Sequence, residues 1–203
     1  MTADCFALLD DAGTPGAASR LYTGHAATLV CRDGAGWPQL LGEMERHLRQ
    51  GRHAVALCAY ELGIHLQGLP ASAAATGEAL ARVLVFEQCR RLSQAQVAAW
   101  LAERAARDAS SAGAPGALDA LAAGVANIHA DVGEREFCAA LARIHDYIEA
   151  GDAYQVNYTY RLRFDAYGSP AALYARLRAR QPVPYGALVG LPDGGAVLSL
   201  SPE

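Results

Sequence analysis

From Tyr154 to Phe164 the chain alternates without a break. Tyr154, Val156, Tyr158, Tyr160, Leu162 and Phe164 fall on one side of an extended segment, and Gln155, Asn157, Thr159, Arg161 and Arg163 on the other. The second set joins amides and a hydroxyl to two guanidiniums. Arginine forks match carboxylates in a bidentate way, so Arg161 and Arg163 suit recognition of an acidic small molecule. The same pattern also describes an antiparallel strand with one wet face. Further on, Pro182-Val183-Pro184-Tyr185 offers a rigid backbone and one ring, enough to wall a pocket for a flat ligand or to form a plain surface turn. Asp10-Asp11 and Glu61 are weaker signals, since carboxylates at strand ends usually point into water. His25, His47, His53, His65, His129 and His145 show no H-x-x-x-H spacing, and there is no Gly-rich phosphate loop, nucleophile elbow or C-x-x-C array. No metal ligands are assigned.

The elements that must position these groups can be read from period and punctuation. Residues 5–9 and 21–31 read as strands separated by Gly13-Thr14-Pro15-Gly16. Trp37, Leu40, Leu41, Met44 and Leu48 have helical spacing, with Pro38 in the first turn and Gly51 as the stop. The apolar run 53–60 predicts a strand in a sheet interior, and 80–88 another strand. Ser93 with Gln96 forms a capping box for a helix through about Arg107. A second box, Asp131 with Glu134, opens a helix presenting Phe137, Leu141, Ile144 and Ile148 and ending at Gly151. Ser169-Pro170 starts a short helix with Leu173, Tyr174 and Leu177, and a hairpin joins 186–191 to 196–201 through Pro192-Asp193-Gly194-Gly195. Residues 108–124 are small and Gly/Ser/Pro-bearing, so they read as a linker or mobile loop between an amino-terminal α+β region, 1–107, and a second region, 125–203.

Composition sets the outer bounds. The 203 residues are 52% apolar and 19% charged, as in soluble globular chains, although much of the apolar share is alanine. A net charge of −4 with scattered arginines leaves no basic stripe, which argues against nucleic acid. The first residues lack the positive flank of a signal peptide, and no apolar run approaches the roughly 18 residues of a membrane span. The expected location is the cytoplasm, with no membrane partner. Five cysteines without paired spacing, Cys5, Cys31, Cys58, Cys89 and Cys138, read as buried reduced thiols.

The run Tyr147 to Arg161, YIEAGDAYQVNYTYR, resembles the opening motif of the chorismate-binding region in aminodeoxychorismate synthase component I and anthranilate synthase component I. Two further stretches fall in that family's order: Gln181 to Ala187, and the closing Leu198-Ser199-Leu200-Ser201-Pro202-Glu203, which looks like its strand-end Ser-Pro-Glu. Phe6-Ala7-Leu8-Leu9-Asp10-Asp11, Arg20-Leu21-Tyr22-Thr23-Gly24 and Ala59-Tyr60-Glu61 look like the aminodeoxychorismate synthases, including those fused to an aminotransferase-like lyase domain.

The resemblance implies an α+β fold, an antiparallel β-sheet with outer helices forming an incomplete part of a two-sheet sandwich. It implies amination of chorismate to 4-amino-4-deoxychorismate, for p-aminobenzoate and folate, with ammonia from a glutamine amidotransferase subunit. It also implies Mg2+, but the family's magnesium-binding glutamates, its histidine near the ring and its nucleophilic lysine lie beyond Ser-Pro-Glu, so none is assignable in this chain, which is expected to be truncated. Within the chain, Gln155 falls where isochorismate and salicylate synthases carry a water-activating lysine, and Arg161 is the candidate for substrate binding. Leu9, Asp10, Pro184 and Tyr185 would line an aromatic amino-acid pocket, with tryptophan a candidate occupant. Asp10-Asp11 replaces the family's usual Glu-Ser there. Two rival readings remain, an anthranilate synthase component I fragment and a non-catalytic amino-acid-binding or scaffold module.

Overall fold

The computed structural model describes residues 4–69, 79–111 and 122–201. They form two compact units, Met1–Arg104 with Tyr174–Glu203, and Ala105–Leu173. The first unit is built on a six-stranded antiparallel sheet of β1 (Phe6–Asp10), β2 (Ser19–Cys31), β3 (His53–Cys58), β4 (Ala81–Leu92), β7 (Gly186–Gly190) and β8 (Ala196–Ser199), in the order β3-β4-β2-β1-β7-β8. Its helices are α1 (Trp37–Arg49), α2 (Tyr60–Leu66), the first part of α3 (Gln94–Ser111) and the second part of α5 (Pro170–Arg180).

Register divides the side chains cleanly between the two faces. Ala7 lies opposite both Tyr22 and Val189, and together with Cys5, Val55, Leu84 and Phe86 these form a cluster drawn from strands and their ends alone. Leu8 lies opposite both Leu21 and Leu188, all fully buried, on the face that carries the helices. There Phe6 meets Trp100 of α3 edge-on at 5.0 Å, and further along the sheet Leu40 of α1 and Leu62 of α2 pack with Val83 and Val85. An ion pair between Arg82 in β4 and Asp193 in the β7–β8 turn, 3.2 Å long, spans two intervening strands. Only a curled sheet brings those groups together, and curling lets the inner face bury itself without a helix. The expected α+β fold, an antiparallel sheet with helices on its outer side, is what the first unit has.

Local signals account for most boundaries. Gly51 and Gly151 stop their helices at φ 80°, a conformation that favours glycine. Ser93 and Gln96 form the predicted capping box, each side chain accepting from the other's backbone N–H, and α3 runs to Ser111, into the segment expected to be a linker. Residues 112–121 of that segment, and Pro202 and Glu203 of the closing motif, lie outside the described residues.

Several expectations are corrected. β3 is an edge strand, not an interior one, and the run 53–60 breaks at Cys58 because Tyr60 opens α2. Asp131 does not cap α4 (Glu134–Glu149); Gly133 holds that position, and Asp131 instead accepts the backbone N–H of Arg161 at 2.9 Å. Of the five cysteines only Cys5 and Cys31 are buried, while Cys58 and Cys138 are exposed.

The largest correction concerns 154–164. In the second unit, α4 accompanies a two-stranded ladder of β5 (Gly124–Ala130) and β6 (Leu162–Tyr167), and residues 155–161 form no strand. The six apolar side chains expected to be buried are mostly exposed, Tyr154 by 94%. Alternation makes a strand only where a neighbour supplies ladder hydrogen bonds, and β5 reaches no further than Leu162. Before that point Tyr158 and Tyr160 bend onto Phe137, each at 5.6 Å between rings.

The inner cluster should dominate stability. Leu84→Ala removes a fully buried side chain and should cost about 3 kcal/mol, whereas Val30→Ala, at an exposed position, should cost under about 0.5 kcal/mol. Urea unfolding of the two variants measures the difference.

Candidate functional site

Asp10 ends β1, an interior strand paired on both sides, and its alternation with Phe6 and Leu8 turns its carboxylate to the helix-bearing face, where its side chain has 0% exposure. A carboxylate so placed requires donors. Ser19 Oγ donates to Oδ1 at 2.8 Å, Tyr174 OH to Oδ2 at 3.1 Å, and the Arg178 guanidinium bridges both oxygens, Nε to Oδ2 at 2.6 Å and Nη2 to Oδ1 at 3.4 Å. Ser19 also accepts the backbone N–H of Asp11 at 3.1 Å. Tyr174 and Arg178 stand four apart on α5 and therefore share one helix face. Burial, and then the Asp10 charge, push the Tyr174 phenol far above the ordinary tyrosine range, so it remains a donor at any physiological pH. Opposite Asp10 is Gly186, where an added Cβ would meet the Tyr174 hydroxyl at 2.5 Å; this position admits no side chain without displacing the ring.

The four residues expected to line an amino-acid pocket gather at one end of the β1–β7 ladder but do not share a face. Leu9 packs against the inner, strand-only cluster, while Asp10 points outward. Ala12 and Gly13 N–H groups both donate to the Val183 carbonyl, at 2.9 and 3.1 Å, seating the 181–185 loop beside the end of β1. Pro184 in that loop packs against Gly13, and Tyr185, 69% exposed, precedes β7. All four acceptor contacts of the Asp10 carboxylate are made within the chain, which leaves it no role as a free anionic ligand group.

The other two candidates belong to the second unit. Gln155 is exposed and its Nε2 donates to Asn157 Oδ1 at 3.2 Å. Arg161 is exposed too, its backbone held by Asp131 through both N–H and carbonyl. Sequence reasoning missed Ser19, Tyr174 and Arg178. The available signal was Asp10 itself, a carboxylate in phase with Phe6 and Leu8, which demands a buried cation.

A curled, wholly antiparallel sheet with helices confined to its outer face defines this chain as an α+β protein. Residues 5–203 match the model of the chorismate binding enzyme family, and the chain belongs to that family. It is similar to anthranilate synthase component 1 of Streptomyces coelicolor, 38% identical over 74 residues that cover 36% of this chain and 14% of that protein. The Thermus thermophilus anthranilate synthase component 1 is 40% identical over 91 residues, 44% of this chain and 19% of its own. A Haloarcula marismortui anthranilate synthase component 1 is 34% identical over 82 residues, 40% and 16% respectively. The matched stretches are thus under a fifth of each relative's length.

Removing one member of the outer network should expose its cost. Asp10→Ala leaves the Arg178 guanidinium, mostly buried, without its counter-charge and should destabilise by about 3 kcal/mol or more. Tyr174→Phe deletes one hydrogen bond and should cost about 1 kcal/mol. In the double variant Asp10→Ala, Arg178→Ala the losses should fall short of additive, measured by a urea double-mutant cycle.

Proposed function

We propose that this chain supplies the amino-terminal framework of a chorismate-aminating synthase of the aminodeoxychorismate kind. The observation that carries the reading is the family match over residues 5–203. The aminating chemistry is supported by Gln155. A lysine amine with a lowered pKa can act as general base toward water, whereas a glutamine amide takes up no proton near neutrality and can only hydrogen-bond. Ammonia is then the expected nucleophile, supplied by a glutamine amidotransferase partner, and the product is 4-amino-4-deoxychorismate on the route to p-aminobenzoate. Arg161 and Gln155 are the chain's own candidates for contact with the substrate, the guanidinium for a carboxylate and the amide for a hydroxyl or ring oxygen.

Magnesium, implied for the family, needs a set of acidic ligands. Among the described residues no three His, Cys, Asp or Glu side chains come together in a way that fits a metal ion. Tryptophan as a bound amino acid gains no support from Asp10, whose carboxylate is committed to Arg178 and its neighbours. No helix among the described residues is long and apolar enough to cross a membrane.

A second reading, anthranilate synthase component I, is favoured by the similarity to three anthranilate synthase component 1 proteins. The test is product identification. The complete product of the gene, incubated with chorismate, ammonia and magnesium, should yield 4-amino-4-deoxychorismate by liquid chromatography and mass spectrometry. Anthranilate as the main product would establish the second reading, and isochorismate would overturn both. The 203-residue chain alone should show no turnover above a no-protein control.

A further inference from the structure

β2 outruns the strand on one of its sides. β4 accompanies it from Ser19 to Cys31, but β1 covers only residues 20–22. The ladder to β4 slips between His25 and Ala27, and over residues 27–31 it is regular again. Among the described residues no strand pairs with 27–31 on the β1 side, so the N–H and C=O groups directed there form an open edge. Residues 24–31 contain no Lys, Arg, Asp, Glu or Pro, the residues that usually keep such an edge from pairing, and the bulge lies before the regular stretch. Ala27, Leu29 and Cys31 face the helices, with Leu40, Val83 and Val85. Thr28 lies opposite Leu84 of the inner cluster, and both Thr28 and Val30 are exposed on that inner face.

Between this edge and α1 lies a cleft of about 240 Å³, lined by Leu29, Val30 and Cys31 of β2 and by Gln39, Leu40 and Glu43 of α1. No residue of β4 borders it, which places it on the unpaired side. Glu43 accepts from Gln39 Nε2 at 3.0 Å, and Asp33 accepts the Gly36 N–H at 2.8 Å, so what the cleft offers an incoming strand is its apolar wall. An occupant must be extended, to meet the ladder groups, and apolar, to meet the cleft. The same stretch of a second copy is both. Antiparallel pairing about a two-fold axis at Leu29 sets Leu29 against its own mate, Thr28 against Val30 twice, and Ala27 against Cys31 twice; the β-branched pairs are of the favourable kind, and no charge meets its like. Leu29 of the second copy then enters the cleft beside α1. β1 leaves room for the mate, because its pairing with β2 stops at Tyr22.

We propose that two copies of this chain dimerise through residues 27–31 of β2, joining their sheets across a two-fold axis. The interface does not depend on which chorismate reaction the family member performs. The test is sedimentation equilibrium of the 203-residue chain over the micromolar range, with amide hydrogen exchange read in parallel. A monomer–dimer equilibrium is expected, and exchange within 27–31 should slow as concentration rises while that of β1, paired on both sides, stays constant. Val30→Glu, whose carboxylate can meet Arg82 opposite it in its own chain, places a charge where the dimer must be dry and should weaken association by about tenfold or more. Ile128→Glu, at an exposed position on β5, should leave association unchanged. If Val30→Glu fails to fold by circular dichroism, Thr28→Lys carries the comparison with the same expected loss. The proposal is overturned if the chain stays monomeric throughout that range, if the variant in β2 dimerises as the parent does, if Ile128→Glu abolishes the dimer, or if concentration protects other amides and not those of 27–31.

Discussion

A buried carboxylate is the constraint around which the first unit is arranged. Asp10 sits at the end of the strand that joins the two halves of the sheet, and at 0% exposure its charge is tolerable only with several donors in fixed places. Those donors come from the start of β2 and from α5, two segments far apart in sequence. The requirement therefore docks α5 on the sheet, and with it the loop that leads into β7. Gly186 fits the same scheme: a side chain there would push the Tyr174 hydroxyl off the carboxylate. Hydrophobic burial supplies the bulk of the stabilisation, but apolar contacts tolerate sliding, and a bidentate guanidinium does not.

How much of this was legible in the sequence depends on whether the deciding contacts were local. The capping box of Ser93 and Gln96, the glycine stops at Gly51 and Gly151, and the turn between β7 and β8 were readable, because each is settled within a few residues. α2 was not, since Tyr60 to Leu66 is a single short helix whose buried Leu62 belongs with α1 and β4. The edge position of β3 was equally invisible, because an apolar run reports burial and not the number of neighbours. At the site, the four residues grouped from the sequence, Leu9, Asp10, Pro184 and Tyr185, lie near one end of the β1–β7 ladder, yet period two puts Leu9 and Asp10 on opposite faces. Two of the partners of Asp10, Tyr174 and Arg178, lie more than 160 residues away, beyond any local pattern.

The segment 154–164 illustrates the same limit from the other side. Its alternation is the most regular in the chain, and only its end, from Leu162, joins a ladder. A period of two states which residues would share a face if the backbone were extended, but it supplies no partner for the N–H and C=O groups. Phe137 draws Tyr158 and Tyr160 toward α4 instead, a ring contact of the kind that competes with pleating when the ladder is short.

The position of β1 has a consequence for how the molecule is made. β1 pairs with β2 at once, but its other edge waits for β7, which begins at Gly186. At ribosomal rates of about 5–20 residues per second, that edge stays open for roughly ten seconds or more while the intervening chain emerges. During this interval Leu8 and the Asp10 carboxylate lack Leu188, Tyr174 and Arg178, so the nascent sheet carries an unpaired edge, an uncovered apolar face and an uncompensated charge. Pairings of such long sequence separation fold slowly for reasons of chain entropy. Holdase chaperones, or a pause in translation after β4, would bear directly on the yield of this protein.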